Sequence, residues 1–95
     1  MHEALYRLRR LVEAPEDYIE AEITREEKEL AFEHQVFVVA IYSDVDCYVK
    51  FDSHTNKAIK HLADSAYIWF RPCSKLYVRT VEAERGKFYA WGEVI

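Results

Sequence analysis

The sequence is poor in the residues that build tight turns and phosphate sites. It has two glycines and two prolines, so a glycine-rich phosphate-binding loop is nearly excluded. No apolar run approaches the roughly 20 residues that a membrane-spanning helix needs. Residues 1–15 also lack the apolar block of a signal peptide. We therefore expect a protein that is made and kept in a cytoplasm, or in a particle assembled there, and that is not secreted through a signal peptide.

Cysteine is scarce as well. The two cysteines, Cys47 and Cys73, are too few for a disulfide framework. We favour two small buried apolar side chains, and a single Cys47–Cys73 bridge in an oxidising compartment is the alternative. The composition is 51% hydrophobic and 32% charged, which is typical of a globular chain and not of a disordered one. A chain of 95 residues makes one domain with a modest core.

Basic residues are fewer than acidic residues, and the net charge is −4. Residues 1–35 hold five Lys/Arg and ten Asp/Glu, a balance of −5. Residues 36–95 hold eight Lys/Arg and seven Asp/Glu, a balance of +1. A general nucleic-acid binder would show a basic excess. The acidic balance of residues 1–35 and the near-neutral balance of residues 36–95 therefore argue against nucleic acid as the partner.

Hydrophobic periodicity predicts one helix at the start of the chain. Apolar residues recur there at three- and four-residue spacing, and Pro15 ends the pattern. The apolar stripe consists of Leu5, Leu8, Leu11 and Val12. We therefore predict an N-terminal helix or arm over residues 1–14 and a single β domain over residues 15–95. The helix either packs over the sheet or anchors on a neighbouring subunit.

After the proline the period changes to that of a half-buried strand. In "YIEAEI", three apolar residues alternate with polar neighbours. The next segment, residues 24–34, is ambiguous. Thr24 and Glu27 fit a helix capping box, but Leu30 and Phe32 alternate with polar residues as in a returning strand. We favour the strand.

The rest of the chain is a series of short β-branched and aromatic runs separated by turn signals. The last two runs are expected to form a hairpin whose loop uses Gly86 to supply a positive φ. The pattern predicts a mainly β fold, an antiparallel β-sandwich or barrel of six to eight strands with one N-terminal α-helix.

The stretch "SDVDCYVKFDSH", residues 43–54, concentrates the residue types of a metal site or a nucleophile site. Strand alternation separates its residues into two faces. The core face is Val45, Cys47, Val49 and Phe51. Cys47 then points away from the aspartates and has no base beside it, so we expect no nucleophilic role. Asp44 and Asp52 would lie about 25 Å apart along a strand, too far to share one cation.

Other signatures of catalysis or metal binding are missing from the sequence. The four histidines show no zinc-type spacing, and there is no nucleophile elbow or HExxH helix. We therefore expect no catalytic residue, no metal, no cofactor and no enzyme activity. A cupin-like metalloenzyme that uses His54 and His61 is kept as an alternative.

The last three predicted strands carry an aromatic and basic face opposite their apolar face. Its residues are Tyr67, Trp69, Arg71, Tyr77, Arg79, Tyr89 and Trp91. Tyrosine, tryptophan and arginine are enriched at the energetic centres of protein interfaces. We therefore predict that this face contacts a partner protein. The alternatives are an amphipathic cover over a small core and a stacking platform for single-stranded nucleic acid or a ligand.

The order of these strand phrases resembles a family of viral proteins. "DVDCYVKFD" is followed by "AIKHL", then by "AYIWFRPCSKLYVR" and by a closing "GKFYAWGEV". Residues 36–95 thereby resemble the small β-sandwich virion proteins of tailed phages, which include head decoration, head–tail joining and tail-associated proteins. The resemblance implies a virion or host-cytoplasmic protein without catalysis. It also implies symmetric or quasi-symmetric assembly with other protein subunits as partners, either copies of the chain or further virion proteins. The acidic charge balance argues against a nucleic-acid partner, and the lack of a long apolar run argues against a membrane.

Overall fold

The computed structural model describes residues 17–69 and 71–94. The helix predicted over residues 1–14, with its stripe of Leu5, Leu8, Leu11 and Val12, lies outside the described residues. The strands are β1 (Asp17–Thr24), β2 (Lys28–Ser43), β3 (Cys47–Phe51), β4 (Ile59–His61), β5 (Ala66–Trp69), β6 (Cys73–Thr80) and β7 (Arg85–Val94). Within the described part, no helix has the length and apolar character needed to cross a membrane. The prediction of a mainly β fold is confirmed.

A single antiparallel sheet runs in the order β1-β7-β2-β6-β3-β4, and β5 lies beside β2. β2 is 16 residues long. Its first half pairs with β6, and its second half pairs with β5 on one side and β7 on the other. The register shifts between Ala31 and Val36 and again between Val36 and Val39. Such irregularities bend a strand, so β2 carries the sheet around one core as a nearly closed barrel.

The inward faces of β1, β2, β3, β6 and β7 form the main core. Alternation predicted these faces correctly in β1, where Ile19 and Ile23 are buried, and in β3, where Val49 and Phe51 are buried. The ambiguous segment is a strand from Lys28 onward, as we favoured. The barrel is therefore built largely as the two-residue period predicts.

Both cysteines are free thiols in the barrel interior. Each is fully buried, and burial raises the pKa of Cys47 and of Cys73 to about 11. A thiol with that pKa is almost entirely protonated at neutral pH and is a poor nucleophile. The interpretation as small buried apolar residues is confirmed.

The aspartates of residues 43–54 join strands rather than line a site. Each accepts a hydrogen bond from a backbone N–H far along the chain. The pairs are Asp44 Oδ1 with the Lys87 amide at 2.7 Å, Asp46 Oδ1 with the Ala63 amide at 2.8 Å, and Asp52 Oδ1 with the Ser74 amide at 3.1 Å. These carboxylates therefore satisfy amide groups at strand ends, which is an ordinary use of Asp beside turns.

Asp44 gives a direct test of this joining role. We expect Asp44→Ala to lower the free energy of unfolding by about 1–2 kcal/mol, because the Lys87 amide loses a charged acceptor. Asp44→Asn keeps an acceptor oxygen and should retain most of the stability. Urea unfolding of the three proteins measures the difference. Equal stability of all three would contradict the role.

Gly86 lies within β7 and not in the loop before it. β6 and β7 lie on opposite sides of β2 and do not pair with each other, and none of the described glycines has a positive φ. The expected hairpin and the role of Gly86 in its loop are therefore wrong. A Cβ built at Gly86 would overlap Cγ2 of Val45, so a side chain at this position would require Val45 to move. The positive φ angles belong instead to Asp52, at 71°, and Asp64, at 58°. Aspartate adopts this conformation more readily than most residues.

Candidate functional site

The seven predicted contact residues do not share one exposed face. Trp91 is only 2% exposed and forms a second buried cluster with Ala40 and Tyr42. Tyr89 is half-buried, and its ring stacks on that of Trp91 with centroids 6.2 Å apart. The expected exposure of Trp91 is therefore wrong. β7 buries side chains on both faces, since Ala90 packs into the main core, and alternation alone cannot reveal that both faces of a strand are covered.

β5 faces the core with the side opposite to the one predicted. Trp69 packs against the main core, whereas Ile68 packs against the second cluster. The ring of Phe51 stacks on that of Trp69 with centroids 4.3 Å apart and planes within 8°. Tyr67 is 37% exposed, and its ring centroid lies 6.2 Å from that of Phe51. Because β5 is short and apolar on both sides, its sequence did not determine which side faces inward.

The stacked rings of Phe51 and Trp69 form the floor of an open groove of about 270 Å³. We call it the β4–β5 groove, because it lies between these two strands. Among the described strands, β4 pairs only with β3 and β5 pairs only with β2. The remaining lining residues are Asn56, Lys57, Ile59 and Arg71. The groove therefore combines an aromatic floor with two unpaired strand edges.

Two positive charges stand at the rim of the β4–β5 groove. The guanidinium carbon of Arg71 lies 5.6 Å from the ring centroid of Trp69, a cation–π arrangement. Arg71 and Lys57 are both exposed. Neither forms an ion pair with a residue in the described ranges, and the lining contains no acidic residue. The groove is suited to an anionic group that carries an apolar neighbour.

Tyr77 and Arg79 lie on a different surface, formed by the outward side chains of β3 and β6. The guanidinium carbon of Arg79 lies 4.5 Å from the ring centroid of Tyr48. The Tyr77 hydroxyl donates a hydrogen bond to the Glu29 carboxylate at 2.9 Å. That bond, with the charge of Lys75, lowers the pKa of Glu29, and the same bond raises the pKa of Tyr77. Contacts between side chains of this chain therefore already occupy part of this surface.

The two histidines of the metalloenzyme alternative have different surroundings. His61 is 4% exposed, and its Nε2 atom has no hydrogen-bond partner among the described residues. His54 is exposed, and its ring lies edge-on to Tyr77 with centroids 5.9 Å apart. Neither belongs to the group of potential metal ligands that the described part of the chain brings together. The geometry does not support a metal centre built on this pair.

That group consists of Asp17, Glu33 and His34, whose candidate ligand atoms lie within 4.8 Å of one another. Asp17 Oδ2 accepts the backbone N–H of His34 at 2.9 Å and lies 3.2 Å from its Nδ1. These contacts tie the start of β1 to β2 and explain the buried Asp17 carboxylate without an ion. Sequence spacing could not reveal the group, because only the fold of β1 against β2 brings residues 17 and 34 together.

Buried His61 predicts a loss of stability in mild acid. Burial lowers the pKa of His61 below its ordinary 6.5. The unfolded chain therefore takes up this proton first, and stability falls as the pH drops from about 6.5 toward the lowered pKa, with a slope of at most about 1.4 kcal/mol per pH unit. Stability above that range is unaffected by this group.

The measurement is urea unfolding of the wild type and His61→Gln at neutral pH and at a pH below six. We expect the variant to lose less stability between the two conditions. An identical loss in both proteins would show that other groups account for the acid sensitivity.

Comparisons with known proteins bear on the fold alone. No family model matches the chain, and no curated protein matches it. Among solved structures, a de novo designed double-stranded β-helix determined by solution NMR is similar to it. The TM-score is 0.57 and the identity 13%, over 80% of this chain and 97% of the designed one. The likeness places the chain among antiparallel, barrel-like β folds.

Proposed function

We propose that the protein is a non-catalytic subunit of a larger protein assembly and that the β4–β5 groove contacts a neighbouring subunit. The observation that carries the proposal is the Phe51–Trp69 stack beneath the unpaired charges of Arg71 and Lys57. Tryptophan and arginine are the residues that most often dominate the binding energy of protein interfaces. An aromatic floor with a charged rim matches the usual anatomy of such a contact.

The proposal divides the predicted contact residues by their surroundings. Tyr67, Trp69 and Arg71 belong to the groove and its margin. Tyr77 and Arg79 lie on the outward surface of β3 and β6, where contacts within the chain already pair part of the surface, and the proposal does not use them as contacts. The proposal that the assembly is a viral particle rests on the resemblance of residues 36–95 to phage β-sandwich proteins. The first neighbour to test is a second copy of the chain.

A second candidate function is binding of single-stranded nucleic acid. The stacked aromatic floor favours it, as do Arg71 and Lys57, which form no ion pair with a described residue. The net charge of −4 opposes it, because phosphate contacts need a basic excess. A labelled oligonucleotide at low salt and micromolar protein distinguishes the two. We expect no binding. Binding that weakens steeply with added salt would favour the nucleic-acid function over assembly.

The mass of the full chain in solution tests the assembly function. Sedimentation from low micromolar to several hundred micromolar protein should show species heavier than the 11.3 kDa monomer, with a population that grows with concentration. A protein that remains monomeric over the whole range would contradict self-assembly.

A further inference from the structure

No described strand pairs with the edge of β5 that faces away from β2, and this edge is suited to another strand. We infer that an extended segment of a neighbouring protein subunit lies in the β4–β5 groove and pairs through its backbone with that edge. The inference rests on the proposed function and specifies how the neighbour is held. It assigns the segment a chemistry, with apolar side chains on the side that faces the floor and carboxylates that reach the rim.

The first support is that β4 and β5 do not pair with each other. Consecutive strands joined by so short a link, residues 62–65, usually form a hairpin. Here the link is held against β2 instead. The Asp64 amide donates to the Ser43 carbonyl at 2.9 Å, and the Tyr42 hydroxyl donates to the Asp64 carboxylate. The link therefore keeps β5 beside β2, and no described strand pairs with its other edge.

The second support is the composition of β5. Its sequence, Ala66–Trp69, contains no charge and no proline. Four residues pair with β2, and no described strand pairs with the opposite edge. Natural edge strands usually carry lysine, proline or a bulge that prevents further pairing. An uncharged and apolar free edge is the type that binds peptides by strand addition.

The third support is the chemistry of the side chains that line the β4–β5 groove. The ring of Trp69, backed by the buried ring of Phe51, and the side chain of Ile59 offer apolar surface. Lys57 and Arg71 offer positive charge that is not neutralised by any described residue. Side chains of an added strand alternate between two sides. The fitting segment is therefore extended, with apolar and acidic residues in alternation.

Three fluorescent peptides test the inference with the full chain. The first alternates valine and glutamate over ten residues, the second has lysine in place of glutamate, and the third is the first peptide with every second backbone nitrogen methylated. Fluorescence anisotropy should show saturable binding of the first peptide. Binding of the second and of the third should each be at least tenfold weaker, since one loses the carboxylates and the other loses backbone pairing.

Two matched variants locate the binding. Arg71→Glu should weaken binding of the valine–glutamate peptide at least tenfold. Arg79→Glu reverses the charge of the other arginine that lies over an aromatic ring, and it should change binding by less than twofold. Amide exchange followed by NMR should show new protection at residues 66–69 when the peptide is bound.

Several results would overturn the inference. Equal binding of the methylated peptide would exclude strand addition, and absence of binding at several hundred micromolar would exclude the site. Binding of a labelled oligonucleotide that is lost in Arg71→Glu, without binding of any peptide, would assign the groove to nucleic acid. A monomeric chain that binds the first peptide would refute self-assembly and leave strand addition intact. An oligomer that binds none of the peptides would do the reverse.

Discussion

Trp91→Ala should lower the free energy of unfolding by about 3–5 kcal/mol, the usual cost of deleting a buried Trp side chain. The indole is 2% exposed and packs in the second cluster with Ala40 and Tyr42. Its ring centroid also lies 5.3 Å from that of Tyr18. Domains of this size are stable by only about 5–15 kcal/mol, so the variant should be marginally folded or unfolded. Urea unfolding monitored by circular dichroism measures the change.

Trp69→Ala is the matched control for Trp91→Ala. Trp69 is half-buried in the floor of the β4–β5 groove, so its removal deepens a groove that is already open and leaves no closed cavity. We expect a smaller loss of stability and a folded protein. If both variants unfold alike, Trp69 is a core residue and the groove is not a binding surface. If Trp91→Ala is as stable as the wild type, the second cluster is not part of the core.

Gly92→Ala should produce the second large loss of stability, about 3 kcal/mol, the upper range for overpacking. A Cβ at Gly92 would lie 2.6 Å from Cγ2 and 2.7 Å from Cβ of Val36. Val36 is fully buried and lies where β2 changes register against both β6 and β7. Its Cβ is fixed to the backbone, so relief requires movement of the bend itself.

A double-mutant cycle isolates this contact. In the Val36→Ala background, Gly92→Ala should cost less but still destabilise, because both Cγ atoms are gone while Cβ of residue 36 remains 2.7 Å from the new Cβ. Gly86→Ala provides a comparison, since the atoms in its way belong largely to Val45, a half-buried turn residue that can move. Equal costs of Gly92→Ala in both backgrounds would show that the Cγ atoms of Val36 are not the obstacle.

The strands and most of their inward faces could be predicted from the sequence because they depend on local alternation. The buried Val49 and Phe51 of β3 and the strand beginning at Lys28 are examples. The covered outer face of β7 could not be predicted. Trp91 alternates correctly with Ala90, but whether a face is covered depends on residues far away in the chain.

The sequence predicted only some of the residues of the candidate site. Trp69 and Arg71 were found as aromatic and basic residues on one predicted face. Alternation places Phe51 on the core face, and no local pattern connects Phe51 or Lys57 with them. The groove exists because the β4–β5 link is held at Ser43 and because β3 crosses near β5, and both are long-range contacts. A local pattern contains no signal for such contacts.

The central claim is that the β4–β5 groove, and not the outward surface of β3 and β6, contacts the neighbouring subunit. The most direct measurement is the sedimentation of Arg71→Glu and Arg79→Glu at matched concentrations beside the wild type. We predict that Arg79→Glu assembles as the wild type does and that Arg71→Glu is monomeric while its circular dichroism is unchanged. Assembly that survives Arg71→Glu, or that is lost in Arg79→Glu instead, would contradict the claim.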